Sequence, residues 1–134
     1  MARKLALVAV GIVLAAAPTL AHHSRAMFDI GKNITYRGVV EEYRWQNPHS
    51  HIVVRVGAGA ADRSTVGRWT VEASAISVMT SSGWTPGTYK PGDPITVVAH
   101  PNMAGSALVL LFYAIKADGT RLHRAAHQYD GEKE

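Results

Sequence analysis

The sequence predicts an all-β domain with one short helix over residues 22–119, folded as a five-stranded Greek-key barrel of the OB type. Three observations carry this. Four segments alternate apolar and polar residues with strand periodicity and a fifth is almost continuously apolar, one run between the third and fourth strands repeats apolar residues at helical spacing, and Gly, Pro, Asn and Asp fill the gaps. Three strands, a helix and two more strands is the order of an OB barrel. An open antiparallel β-sandwich is the alternative, and closure favours the barrel because it removes exposed sheet edges.

The segment Ile34 to Trp45 opens the barrel, with Ile34, Tyr36 and Val40 alternating against Thr35, Arg37 and Glu41, and Gly38 marking a bulge or bend. Asn47-Pro48 breaks it. Ser50 to Val56 resumes the alternation through Ile52, Val54 and Val56 before a hairpin loop at Gly57 to Ala61. Arg68 to Glu72 puts Trp69 and Val71 on one face and Thr70 and Glu72 on the other. Within Ala73 to Ser82, Ile76 and Met79 have helical spacing, and Gly83 stops the run. Turn residues from Pro86 to Asp93 lead into a fourth strand through Ile95, Val97 and Ala99, and the apolar run Ala107 to Ile115 reads as a buried fifth. Residues 120–134 are polar and charged, and a frayed tail is expected there.

Ahead of the domain, Arg3 and Lys4 precede an uncharged apolar run from Leu5 to Ala17. Thr19 and Ala21 then stand three and one positions before a cut that would free His22. This is the pattern of a cleavable secretory signal over residues 1–21. The apolar run is shorter than the roughly 20 residues that span a bilayer, so no stable membrane span is expected after cleavage. A periplasmic or secreted single domain follows. Losing Arg3 and Lys4 lowers the formal charge from +4 to +2, which implies no nucleic-acid partner. The chain has no cysteine, so disulfides, thiolate metal sites and thiol redox chemistry are excluded.

Histidine carries the chemical signal. All seven, His22, His23, His49, His51, His100, His123 and His127, follow the signal segment. His49 and His51 alternate at the start of a strand, so both side chains can share one face and one ion. An N-terminal His22 would offer its free amine and its ring to the same metal, and with one imidazole from His23, His49 or His51 it makes a nitrogen set suited to Cu(II). Zinc is the alternative ion. His100, with Met103 nearby, is a further candidate ligand, and Glu41, Glu42 and Glu72 could add a carboxylate. Trp45, Trp69 and Trp84 read as core or barrel-end plugs. No residues form a catalytic pair: Ser24 beside His23 lacks an orienting third group, and Gly57-Ala58-Gly59 lacks the spacing of a phosphate loop.

Three segments, His22-His23-Ser24-x-Ala26-x-Phe28-Asp29, Trp45-x-Asn47-Pro48-His49, and Gly83-Trp84 followed by Lys90-Pro91-Gly92-Asp93, together resemble a family of small exported bacterial proteins of unknown function. The resemblance implies an exported single-domain protein and brings no catalytic residues. The expectation is a periplasmic copper-binding protein acting in binding or delivery, not an enzyme, whose ligands are His22, His23, His49, His51 and His100. The alternative is an envelope module that uses its barrel face to hold a polar ligand or another envelope protein. An oxidative copper enzyme built on His22 rests on that residue alone.

Overall fold

Strand β1 (Ile34–Arg44) serves two neighbours, and this is what lets the sheet close. Its first half pairs antiparallel with β4 (Pro94–Pro101), from Ile34 opposite Ala99 to Val39 opposite Pro94. Its second half pairs with β2 (His51–Val56), ending with Arg44 opposite His51. β2 in turn pairs with β3 (Gly67–Glu72), and β4 with β5 (Leu108–Lys116). A short parallel pairing of β3 with β5, from Thr70 opposite Leu108 to Glu72 opposite Leu110, shuts the ring. The result is a closed five-stranded barrel in the order β1-β2-β3-β5-β4, as expected, and not an open sandwich. This computed structural model describes residues 25–125. The signal-type segment, His22, His23 and His127 lie outside the described residues.

Tight closure requires Gly38, because a Cβ there would stand 2.1 Å from the Arg55 carbonyl oxygen on β2. The bulge itself falls further on, at Glu41, where the β1–β2 register slips between Val40 and Glu42. That extra residue changes which positions face inward: Ile34, Tyr36 and Val40 before it, Tyr43 and Trp45 after it. β5 does the same at Phe112, so Val109 and Leu111 point inward before the slip and Ala114 after it. With Ile52, Val54, Val56, Val71, Ile95 and Val97 these residues fill the barrel.

Helix α1 (Ile76–Ser81) plugs the barrel end through buried Met79. Its N-cap, Ala75, has no capping side chain, and the free Ile76 N–H is satisfied by Asn47 Oδ1 at 3.0 Å. The Asn-Pro break after β1 therefore doubles as the cap of a helix far along the chain. Trp84, Tyr89 and Tyr43 pack beside Met79 with ring centroids 6.0–6.5 Å apart, and Trp84 Nε1 donates to the His123 carbonyl at 2.8 Å.

The expected frayed tail is corrected as far as Ala125. After the turn at Gly119, strand β6 (Arg121–His123) pairs with Tyr113–Ile115 of β5, Leu122 packs on the core, and the Arg121 guanidinium sits 4.4 Å over the Tyr113 ring. Three residues with one apolar position are too few to show a periodicity, so only the Asp118-Gly119 turn signal announced this hairpin.

Candidate histidine–glutamate site

Antiparallel pairing of β2 and β3 sets His51 directly opposite Glu72. Ile52, Val54 and Val71 face the core, so His51 and Glu72 must face outward, at the end of the barrel nearest the β1–β2 loop. That loop is pinned to the chain beyond β3, since Ser50 N–H donates to the Ser74 carbonyl at 2.9 Å and Ala73 N–H to the Ser50 carbonyl at 2.8 Å. His49 is thereby held beside the same carboxylate. Its Nδ1 lies 3.3 Å from Glu72 Oε1, and His51 Nε2 lies 4.0 Å from Glu72 Oε2.

Glu72 is 5% exposed, which would be costly for a lone carboxylate and is offset here by the two imidazoles. Burial pushes the His51 ring below its ordinary pKa, the Glu72 charge works against that shift, and His49 and Arg44 add to it. Among the described residues His51 Nδ1 is buried with no partner in hydrogen-bond geometry, although the His49 backbone favours its protonation weakly. Arg44, opposite His51, is occupied by Glu42, which takes its Nε and Nη2 at 2.6 and 2.7 Å. Two groups that sequence reasoning missed complete the surroundings. Ser74, buried just beyond β3, accepts a 3.2 Å hydrogen bond from Arg124 Nη1, and Arg124 feels the Glu72 charge.

The other candidate ligands fall elsewhere. His100 is on the outer face of β4, 3% exposed beneath the N-terminal segment, with Nδ1 3.1 Å from the Lys32 carbonyl and its ring 5.5 Å from Phe112. It is separated from Glu72 by β5, whose Leu110 stands opposite both residues. Met103 is exposed in the β4–β5 loop. His123 packs on Tyr113 and Phe112, and burial lowers its pKa. Glu41 is occupied by Arg55 and Arg68, so neither it nor Glu42 is free to act as a ligand. Trp84 is a barrel-end plug as expected, and Trp45 and Trp69 pack against the core. Among the described residues, no group of three or more His, Cys, Asp or Glu side chains is arranged to hold an ion by itself.

Residues 9–111 match a family of unknown function, DUF6152. The chain belongs to this family. The DUF6152 match takes in His49, His51 and Glu72 and ends within β5, before Arg124. Neither the curated proteins nor the solved structures give a match to the chain.

Proposed function

We propose that this DUF6152 protein binds a transition-metal ion in the cell envelope, copper before zinc, and serves in binding or delivery and not as an enzyme. The observation that carries the reading is the spacing at Glu72. The 4.0 Å from His51 Nε2 to Glu72 Oε2 is too long for a hydrogen bond and about the sum of two metal–ligand bonds of roughly 2 Å each. On the other side His49 Nδ1 faces Glu72 Oε1 at 3.3 Å, so a ring protonated at Nε2 turns its Nδ1 lone pair towards the same carboxylate and an ion held there.

Two imidazoles and one carboxylate do not complete the set, which fits an open site that takes further donors. The amine and ring of a mature N-terminal His22, with His23, supply nitrogen donors of the kind Cu(II) prefers. The signal pattern of residues 1–21 supports an envelope location, and the segments His22-His23-Ser24 and Trp45-x-Asn47-Pro48-His49 are read as marks of the family that gather these donors. A second reading, a module for a polar ligand or partner, draws on position alone: the outer β2–β3 face and the β1–β2 loop are where OB barrels bind ligands.

Calorimetric titration of the exported protein, with its N-terminus fixed by intact mass, tests the proposal. Binding of Cu(II) tighter than micromolar is expected. Failure to bind Cu(II), Cu(I) and Zn(II) at that level, with His22 at the terminus, removes the metal reading.

A further inference from the structure

Arg44, Arg55, Arg68 and Lys90 are each committed to a carboxylate on the barrel surface. Arg37 and Lys116 are not: neither side chain makes a hydrogen bond or an ion pair with any described residue. The strand ladders bring the two together. Arg37 on β1 stands opposite Thr96 on β4, Thr96 stands opposite Ile115 on β5, and Lys116 follows Ile115. Arg37, Thr96 and Lys116 line one cleft of about 210 Å³, and no acidic residue lines it. Asp93 and Asp118 are near enough to feel the Lys116 charge, but Asp93 is taken by Lys90 at 2.5 Å and Asp118 Oδ1 accepts the Thr120 N–H at 2.9 Å. Two uncommitted cations and a hydroxyl around a cleft without a counter-charge in its wall favour an anion. Phosphate has the charge and enough acceptor oxygens to take the Arg37 fork, the Lys116 ammonium and the Thr96 hydroxyl together.

Arg37 also lines a second cleft, of about 360 Å³, between β1 and the β2–β3 loop. That volume lies within the range of small-molecule sites, roughly 300–1,000 Å³. Its chemistry differs from that of the first. Gly57, Gly59, Ala60 and Ala61 bring no bulky side chain to its wall, and Thr35, Thr65 and Asp62 supply its polar groups. Asp62 Oδ1 accepts from the Ser64 N–H at 2.9 Å and the Ser64 hydroxyl at 2.6 Å, and no described cation pairs with this carboxylate. An uncompensated carboxylate repels a second anion and accepts hydrogen bonds from hydroxyl groups. The anionic end of a ligand therefore belongs on the Lys116 side of Arg37, and a hydroxyl-bearing end on the Asp62 side.

We propose that the two clefts flanking Arg37 form one binding site for a phosphate ester of a polyol, free or as a lipid headgroup, with its phosphate held by Arg37 and Lys116 and its hydroxyls by Asp62, Thr35 and Thr65. The His49–Glu72–His51 cluster lies by the other end of β1, where Arg44 stands opposite His51. The ester site stands whether or not that cluster binds metal.

The full-length exported protein, freed of metal over a chelating resin, is titrated by amide NMR with glycerol phosphate, inorganic phosphate and glycerol. Glycerol phosphate should bind in the millimolar range or tighter, severalfold more tightly than inorganic phosphate, and should shift the amides of Thr96 and Lys116 together with those of Ala60 and Asp62. Glycerol alone should shift none of them. Arg37→Gln, at an exposed position where folding is not at stake, should weaken the ester at least about tenfold, and Lys116→Gln severalfold. Asp62→Asn keeps a side-chain cap on the 3-10 turn Arg63–Thr65 and should abolish the preference for the ester over phosphate. Lys32→Gln, outside both clefts, should have no effect. Absence of shifts at tens of millimolar ester, or equal binding by wild type, Arg37→Gln and Lys116→Gln, overturns the site, and phosphate binding as tight as that of the ester overturns the polyol assignment. Co-sedimentation with phosphatidylglycerol vesicles that is lost in Arg37→Gln identifies a lipid headgroup as the ligand, and binding of the soluble ester without co-sedimentation identifies a free one.

Discussion

His51 and Glu72 face one another across the β2–β3 ladder with Nε2 and Oε2 4.0 Å apart, and His49 reaches the other oxygen of the same carboxylate at 3.3 Å. Under the proposed reading both imidazoles are ligands. Replacing His49 and His51 together by Ala should therefore reduce Cu(II) affinity at least about tenfold, or roughly 1.4 kcal/mol. Calorimetric titration of the two proteins measures it. Equal affinities would place the ion elsewhere.

Glu72→Gln separates charge from shape. The amide keeps the volume of the carboxylate but replaces a charged oxygen donor with a weak neutral one, so copper affinity should fall at least about tenfold. The apo protein should stay folded, since no apolar contact is lost. Titration together with far-ultraviolet circular dichroism reads both quantities, and unchanged affinity would confine Glu72 to a structural role.

Much of this fold was legible because alternation survives in single strands: Ile52, Val54 and Val56 read as inward and are inward. What could not be read is long-range register. Glu72 carried no mark of its own, because its meaning arises only when antiparallel pairing sets it against His51 and the Ser50–Ser74 hydrogen bond brings up His49. Ser74 and Arg124, 50 residues apart, could not have been joined from sequence at all. The side chain of His100 looked available because it alternates outward near the end of β4, but the N-terminal segment that covers it there has no periodicity to announce it.

Stability should fall on mild acidification. Burial lowers the pKa of His51 in the fold below its unfolded value near 6.5, and that of His123 likewise. Each ring therefore contributes stability that is fully present above about pH 6.5 and is lost as pH falls through its folded pKa. The groups facing His51 are Glu72, which opposes the shift, and His49 and Arg44, which reinforce it. Urea midpoints measured from pH 7.5 down to about pH 5 should decrease, and His51→Gln should flatten the slope. A midpoint that rises over this range would reverse the assigned sign.

Gly38→Ala tests closure of the barrel. The added Cβ would meet the Arg55 carbonyl oxygen at 2.1 Å and its carbon at 2.8 Å, and both atoms belong to backbone held in the β1–β2 ladder, so no side-chain rotation relieves the clash. The strands must separate, at a cost of about 1–3 kcal/mol by comparison with overpacked cores. Denaturant titration should show this loss with the cooperative transition retained.

The division between core and site makes the last prediction. Trp84 is 1% exposed and packs with Tyr43 and Tyr89, and its Nε1 hydrogen bond to the His123 carbonyl fastens β6 to the barrel end. None of these contacts involves His49, His51 or Glu72. Stability should thus come from the plug, with the histidine cluster contributing little when metal is absent. Trp84→Ala should cost about 3–5 kcal/mol, the usual penalty for emptying a large aromatic from a core. The His49→Ala, His51→Ala double variant should lose well under half of that. Circular dichroism of resin-treated, metal-free wild type should show an intact β fold, and a random coil there would make the cluster a structural metal site, with the barrel folding only around its ion.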